Sequence, residues 1–214
     1  MENPLCPPSD PNFRLIETFG FAPELGCMRL DLHLERLSKS AAAFGIAFDR
    51  DQACDMANAI TSEVALRCRM TLDPFGKVDL VTAQMSETPV GKWTLAVAPE
   101  RLKSDTIWLA YKTTQRTLYD QTRANLPTGV DELIFLNERG EVCEGTITNI
   151  FIETAKRALV TPPLTSGLLP GVLRHCEIAC GRYAEQIITL DDLNQARQIW
   201  VGNSLRGLIP SRMV

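Results

Sequence analysis

The amino-acid sequence predicts an α+β protein, in the broad α/β class, built as two domains. Three observations carry that expectation. Strand-length apolar runs recur in both halves, stretches with apolar residues at helical spacing lie between them, and a polar break falls at Pro99–Asp105. The first domain is expected at residues 1–99, a linker at 100–106 and the second domain at 107–214. With 214 residues the chain is long enough to bury a substantial core.

Composition narrows the function classes. The apolar content of 45% and charged content of 22% are those of an ordinary globular protein. A net charge of −4 supplies no basic surface for nucleic acid. No apolar run approaches the ~20 residues that cross a bilayer, and MENPLCPPSDPNF at the start lacks the layout of a signal peptide. A cytoplasmic protein without a membrane partner is expected. Cys6, Cys27, Cys54, Cys68, Cys143, Cys176 and Cys180 include no CxxC, and His33 and His175 lie far apart, so no metal site is expected and the thiols read as reduced.

Taken in order, the first twelve residues are Pro-rich and read as irregular. Phe13–Phe21 alternates as a strand, ended by Pro23 and Gly26, with Cys27–Leu30 as a short return strand. Asp31 opens a helix whose Leu34, Leu37, Ala41 and Phe44 keep helical spacing until Gly45. On a second face of that helix His33, Arg36 and Ser40 fall together, Arg36 reading either as a site residue or as solvated surface. Asp51–Ala65 reads as a second amphipathic helix, and Ala65–Leu72 and Lys77–Ala83 as a hairpin around Asp73-Pro74-Phe75-Gly76. Trp93–Ala98 is a further strand.

The second half opens with Ile107–Tyr111 as an apolar strand running into Lys112, followed by a helix over Thr113–Ala124. A lysine at such a junction is either desolvated and activated or simply snorkelling. Two apolar runs follow, Leu133–Leu136 and Ile147–Ile152, around a turn at Asn137-Glu138-Arg139-Gly140 that reads as plain. After the turn comes Glu144 beside Gly145, either a carboxylate held for chemistry or an exposed glutamate. Arg157–Thr161 reads as a strand. TPPLTSGLLPG at 161–171 then feeds a helix over Val172–Gly181, whose N-terminus offers backbone amides to an anion. Ile187–Leu190 is a short strand, Asp191–Ala196 a short helix, and Gln198–Val201 a last strand leading into Gly202-Asn203-Ser204-Leu205-Arg206-Gly207.

A lysine, a carboxylate, an arginine on a helix and a helix N-terminus are what pyridoxal 5'-phosphate (PLP) requires. Their wording and order add more. HLERL at 33–37, YKTT at 111–114, EGTITNIF at 144–151, TPPLTSGLLPG at 161–171 and GNSLRG at 202–207 resemble the class IV aminotransferase family. That family includes branched-chain and D-amino acid aminotransferases and 4-amino-4-deoxychorismate lyase. The resemblance runs from about Phe13 to Pro210.

The resemblance implies a two-domain D-amino acid aminotransferase-like fold with PLP in the cleft, a shortened N-terminal domain, and a homodimer. It implies Lys112 as the Schiff-base lysine and proton shuttle, and Glu144 as the partner of the pyridine nitrogen. Phosphate would be held by Arg36, the amides of Val172 and Leu173, and Asn203 and Ser204, with Thr148 and Asn149 in the cofactor wall. Thr18 is implied as a proton donor or substrate contact, although it also suits a strand on β-propensity alone. Arg116 and Arg206 are implied as partners of a substrate carboxylate. Within the family FRLIETF, HLERLSKSAAAFGI, KTTQRTLYD, NERGEVCEG and NSLRGLIP look most like the lyase, and the tyrosine that branched-chain enzymes carry five residues after the lysine is Thr117 here. An aminotransferase with the same cofactor and a homologue without catalysis are the alternative readings. In either enzyme the substrate is a small molecule.

Overall fold

The computed structural model describes Leu5, residues 10–85 and residues 91–214. Cys6 and most of the Pro-rich start lie outside the described residues. The contacts separate two compact units, residues 10–85 with Tyr111–Gln115, and residues 91–110 with 116–214. The division differs from the one expected at Pro99–Asp105. Strand β5 (Trp93–Leu102) runs through most of that polar stretch and pairs in parallel with β6 (Glu132–Asn137). Main-chain pairing is indifferent to side-chain polarity, so a polar surface segment can still be strand.

The first unit is a four-stranded sheet in the order β2-β1-β3-β4, formed by β1 (Leu15–Ala22), β2 (Gly26–Cys27), β3 (Leu66–Leu72) and β4 (Val78–Gln84). Helices α1 (Leu30–Ala43) and α2 (Arg50–Asn58) complete it. Leu15 and Phe19 of β1, Leu34 and Leu37 of α1, and Cys68, Met70 and Leu72 of β3 are all buried. Helix α2 is shorter than Asp51–Ala65. Its buried residues are Ala53 and Ala57, and beyond it Ser62 closes a local turn onto Val64, which is exposed. The residue pattern there mimicked an apolar helix face that the packing does not use.

The second unit holds an eight-stranded sheet in the order β10-β9-β8-β11-β12-β5-β6-β7. Its further strands are β7 (Val142–Gly145), β8 (Asn149–Glu153), β9 (Leu159–Thr161), β10 (Ala184–Glu185), β11 (Gln198–Asn203) and β12 (Gly207–Met213). Because β7 also pairs with β8, the strands from β8 round to β7 close into a ring. Leu95, Ile134, Val142, Ile150, Val201 and Ile209, one from each strand of the ring, join a single apolar core. Each such fully buried aliphatic chain contributes about 1.5–3 kcal/mol.

The other face of the ring is covered as well. Leu133, Phe135 and Cys143 pack with Leu118 and Tyr119 of α3 (Thr117–Ala124), and Phe151 packs with Leu173 of α4 (Val172–Ala179). Strand β6 is therefore apolar at successive positions because both of its faces are buried. Short helix α5 (Leu190–Asn194) carries a capping box at Thr189 and Asp192. The strand expected at Ile187–Leu190 is absent, since Leu190 already begins that helix.

Two differences bear on function. Ile107–Ala110 forms a turn of 3₁₀ helix with only Leu109 buried, and α3 begins at Thr117 rather than Thr113. Lys112 therefore sits on a connecting segment, not between a strand and a helix. A return strand, β7, also separates the two apolar runs expected to form one hairpin, leaving residues 146–148 as a tight loop before β8.

Candidate active site

The expected site residues fall into two sets, one within each unit. In the first unit, β1 presents Glu17 to α1, where His33 and Arg36 stand one turn apart. Arg36 grips the Glu17 carboxylate with both arms, Nε donating to Oε1 at 2.8 Å and Nη2 to Oε2 at 2.6 Å. His33 Nδ1 lies 2.6 Å from Oε2. Ser40, the third residue expected on that face, hydrogen-bonds through Oγ to the Arg36 carbonyl. Arg36 is thus not a solvated surface residue. It is half of a bidentate ion pair with a buried carboxylate that the sequence reading passed over. The signal was available in the HLER spacing opposite an acid on an otherwise apolar strand.

Burial works to raise the Glu17 pKa, but the Arg36 charge and hydrogen bonds from His33 and Arg36 bring it to about 2. Burial also lowers the His33 pKa, against the opposing pull of Glu17. Both groups bind fewer protons folded than unfolded. The Glu17 contribution is therefore present in full above its ordinary value of 4.5 and is lost as pH falls through about 2. The shift corresponds to about 3 kcal/mol. Urea unfolding from pH 7 down to pH 3 is expected to show falling stability, with a shallower fall in Glu17→Gln. Identical pH dependence in the two proteins would refute this account.

The segment carrying Lys112 belongs to the same unit. The Ile16 amide donates to the Lys112 carbonyl at 2.8 Å, the Thr114 amide donates to the Arg14 carbonyl at 3.0 Å, and Leu15 and Thr113 form an isolated bridge. Lys112 is thereby tied to β1 next to Glu17, near enough for its charge to bear on His33. Thr18, the next residue of β1, is half-buried and pairs with Arg69 of β3. Strand alternation turns it away from the face that holds Glu17.

In the second unit the focus is Glu144, only 6% exposed. It is not the surface glutamate that the turn context allowed. Pairing explains its position. The three steps from Val142 to Gly145 on β7 face only two steps, Leu136 to Ile134, on β6. The extra residue is a bulge, the device by which a strand re-aims a side chain. The Tyr119 hydroxyl donates to Glu144 Oε1 at 2.7 Å, and the Leu169 amide donates to Oε2 at 3.1 Å.

Beside it lies a second buried carboxylate, Glu132, with no exposed surface. Its oxygens accept from the amides of Leu133, Thr146 and Ile147, the hydroxyls of Thr146 and Thr148, and Arg123. That many donors saturate a carboxylate, so Glu132 is the anchor of the 146–148 loop. Gly145 makes the arrangement sterically feasible, because a Cβ there would fall 2.8 Å from the Glu132 carboxyl carbon.

Several residues expected at the cofactor or the substrate also brace the protein. Thr148 donates to Glu132, Asn149 Nδ2 donates to the Leu169 carbonyl at 3.1 Å, and Asn203 Nδ2 donates to the Ile147 carbonyl at 3.1 Å. Asn203 Oδ1 also accepts from the amides of Leu205 and Arg206. Arg116 donates to the Thr146 carbonyl at 3.0 Å and to Asp120 at 2.7 Å. Arg206 stands 5.9 Å over the ring of Trp93. Val172 and Leu173 do begin α4, whose N-cap Gly171 makes no side-chain cap bond to their turn. Ser204 is buried.

The turn at Asn137–Gly140 is not plain either. Asn137 is completely buried and donates through Nδ2 to the Ser166 carbonyl at 2.9 Å. Arg139 donates to the Thr165 carbonyl and Glu141 accepts from Ser166 Oγ, both at 2.8 Å. These bonds fasten the segment that, three residues on, delivers the Leu169 amide to Glu144. Hydrogen bonds from Arg139, Asn137 and Ser166, opposed by slight burial, hold the Glu141 pKa at about 2. Among the described residues, no group of three His, Cys, Asp or Glu side chains is placed to hold a metal, and no helix is long and apolar enough to cross a membrane. The described cysteines are free thiols.

Comparison with known proteins places these features in context. The family profile "Amino-transferase class IV" matches residues 14–214. A crystal structure from Mesorhizobium loti, provisionally named an amino-acid aminotransferase, is 41% identical, with a TM-score of 0.87 over 94% of this chain and 100% of that one. The aminodeoxychorismate lyase of Saccharomyces cerevisiae is 27% identical over 135 residues, 55% of this chain and 36% of that protein. A provisionally named branched-chain-amino-acid aminotransferase of Methanocaldococcus jannaschii is 30% identical over 123 residues, 54% of this chain and 42% of that protein. The chain thus matches less than half the length of each of these two curated relatives.

Proposed function

The chain belongs to the class IV aminotransferase family, and from that premise we propose that it is a PLP-dependent lyase converting 4-amino-4-deoxychorismate to 4-aminobenzoate and pyruvate. The observation that carries the PLP-enzyme part of this reading is Glu144, a buried carboxylate aimed by a bulge and held on both oxygens by neutral donors. A carboxylate so placed suits a protonated ring nitrogen, as the family resemblance implies. Within each unit the donor chemistry suits the rest of the cofactor: in the first Lys112 carries an amine and Arg36 a guanidinium, and in the second the first turn of α4 and Ser204 carry neutral donors of the kind a phosphate takes. Two glycines let the chain pack closely around the start of α4. A Cβ on Gly202 would meet the Gly207 carbonyl oxygen at 2.6 Å and Leu173 at 2.8 Å, and one on Gly171 would collide with Asn149 Oδ1.

When bound, PLP supplies an electron sink for charge developing on the amine-bearing carbon. The protein's own groups do the remaining work. The Lys112 amine removes the proton from that carbon, and Glu144 keeps a fixed negative charge against the ring nitrogen. Thr18 is proposed to protonate or orient the leaving enolpyruvyl group, and Arg206 to meet a substrate carboxylate. Loss of the enolpyruvyl group leaves an aromatic ring, which makes the step effectively irreversible. The lyase reading rests on the wording of KTTQRTLYD and NSLRGLIP and on Thr117 in place of a tyrosine. The aminotransferase similarities favour a second reading, in which Lys112 and Glu144 would keep the same roles and the amine of the substrate would be passed on to a keto acid. A cytoplasmic homodimer is part of either proposal.

The purified protein, loaded with PLP, is to be given chorismate, glutamine and a lyase-free synthase. Release of 4-aminobenzoate and pyruvate in equal amounts is the expected result. Glutamate formation from 2-oxoglutarate and an amino donor, without 4-aminobenzoate, would establish the aminotransferase instead.

A further inference from the structure

Helix α3 carries a stripe that the proposed mechanism leaves unused. Tyr119 and Arg123 stand four residues apart on one face of the helix, and Arg116 precedes them at its N-cap. All three reach the same short segment of chain. Arg116 Nη2 donates to the Thr146 carbonyl at 3.0 Å, Arg123 Nη1 donates to Thr146 Oγ1 at 3.2 Å, and between them Tyr119 donates to Glu144 Oε1 at 2.7 Å. The tyrosine ring is itself fixed. Phe135 meets it edge-on with centroids 5.1 Å apart, and the Arg116 guanidinium lies over it at 5.7 Å.

We propose that this stripe is a clamp that sets the orientation of Glu144, with Tyr119 as a positioning residue for the proposed reaction. The proposal rests on Glu144 being the ring-nitrogen partner. A carboxylate on a bulge has lost the regular strand register that would otherwise orient it. Two donors at different angles, one from a packed ring and one from a backbone amide, replace that constraint. Burial first, and then the Glu144 charge, push the Tyr119 phenol well above its ordinary range, so it remains an O–H and can only donate here. The phenol therefore never competes for the proton of the ring nitrogen.

Tyr119→Phe is the decisive variant, since it keeps the ring packing and removes one hydroxyl. In the PLP-loaded enzyme kcat is expected to fall about 10–100-fold, the range for losing a preorganised hydrogen bond to a charged group. KM is expected to stay within about threefold. Unchanged kcat would overturn the proposal and leave Tyr119 as packing. A readout that does not depend on the cofactor separates this from failure of the functional reading. Crystal structures of wild-type protein and Tyr119→Phe without PLP should show the Glu144 carboxylate in one orientation and in several, respectively. The same single orientation in both would overturn the clamp, whatever the enzyme proves to catalyse.

Discussion

Lys112→Ala is expected to abolish turnover, by about 10⁴-fold or more, while leaving the fold intact. The size follows from the role proposed for the amine. It is both the attachment point of the cofactor and the base at the reacting carbon, and a base delivered within the complex is worth many orders of magnitude over one from solution. The tolerance of the fold follows from the structure. The bond from Ile16 to residue 112 uses the main-chain carbonyl, and the bridge from Leu15 to Thr113 is backbone as well. Alanine keeps both. The melting temperature should move by only a few degrees, borohydride should no longer fix the cofactor to the 112 peptide, and an added small amine should restore part of the rate. Turnover within tenfold of wild type would remove Lys112 from the mechanism.

The second large effect is expected of Glu144→Ala. The protein should still take up PLP, because the proposed phosphate donors and Lys112 are untouched, but turnover should fall by about 10³-fold as the charge proposed to partner the ring nitrogen disappears. Unlike Lys112→Ala, this change should also cost stability. It leaves the Tyr119 hydroxyl and the Leu169 amide without the acceptor they share, and a buried donor so stranded costs about 1–3 kcal/mol. Denaturant unfolding and kcat of the loaded enzyme test the two parts together. Near-normal turnover would mean that the wrong carboxylate has been assigned. The other buried acids are poor substitutes, since Glu132 is saturated by loop donors and Glu17 is locked in its ion pair with Arg36.

Most of the strands and helices were legible because burial leaves a period in the residues. The 3.6-residue spacing of Leu34, Leu37 and Ala41 matches α1, and the strand expected around Phe19 matches β1, which is buried at successive positions rather than alternate ones. Misreadings arose where local pattern and packing part company. Ile107–Ala110 is apolar enough for a strand but stands mostly exposed, and the face of α2 that is buried is alanine rather than Met56, Ile60 and Val64. The polar stretch after Pro99 concealed the end of β5 because main-chain pairing asks nothing of its side chains.

The candidate residues themselves were set by sequence. Lys112, Glu144, Arg36 and the amides of Val172 and Leu173 are named by motifs whose chemistry is local. Their neighbours were not legible, since each lies far along the chain. Tyr119 meets Glu144 across 25 residues, Arg36 meets Glu17 across 19, and Asn137 meets Ser166 across 29. Local motifs record which functional groups the chain carries. The bulge in β7, the saturation of Glu132 and the pinning of the 146–148 loop exist only once the ring of strands closes, because hydrogen bonding depends on where groups meet in space and not on their order in the chain.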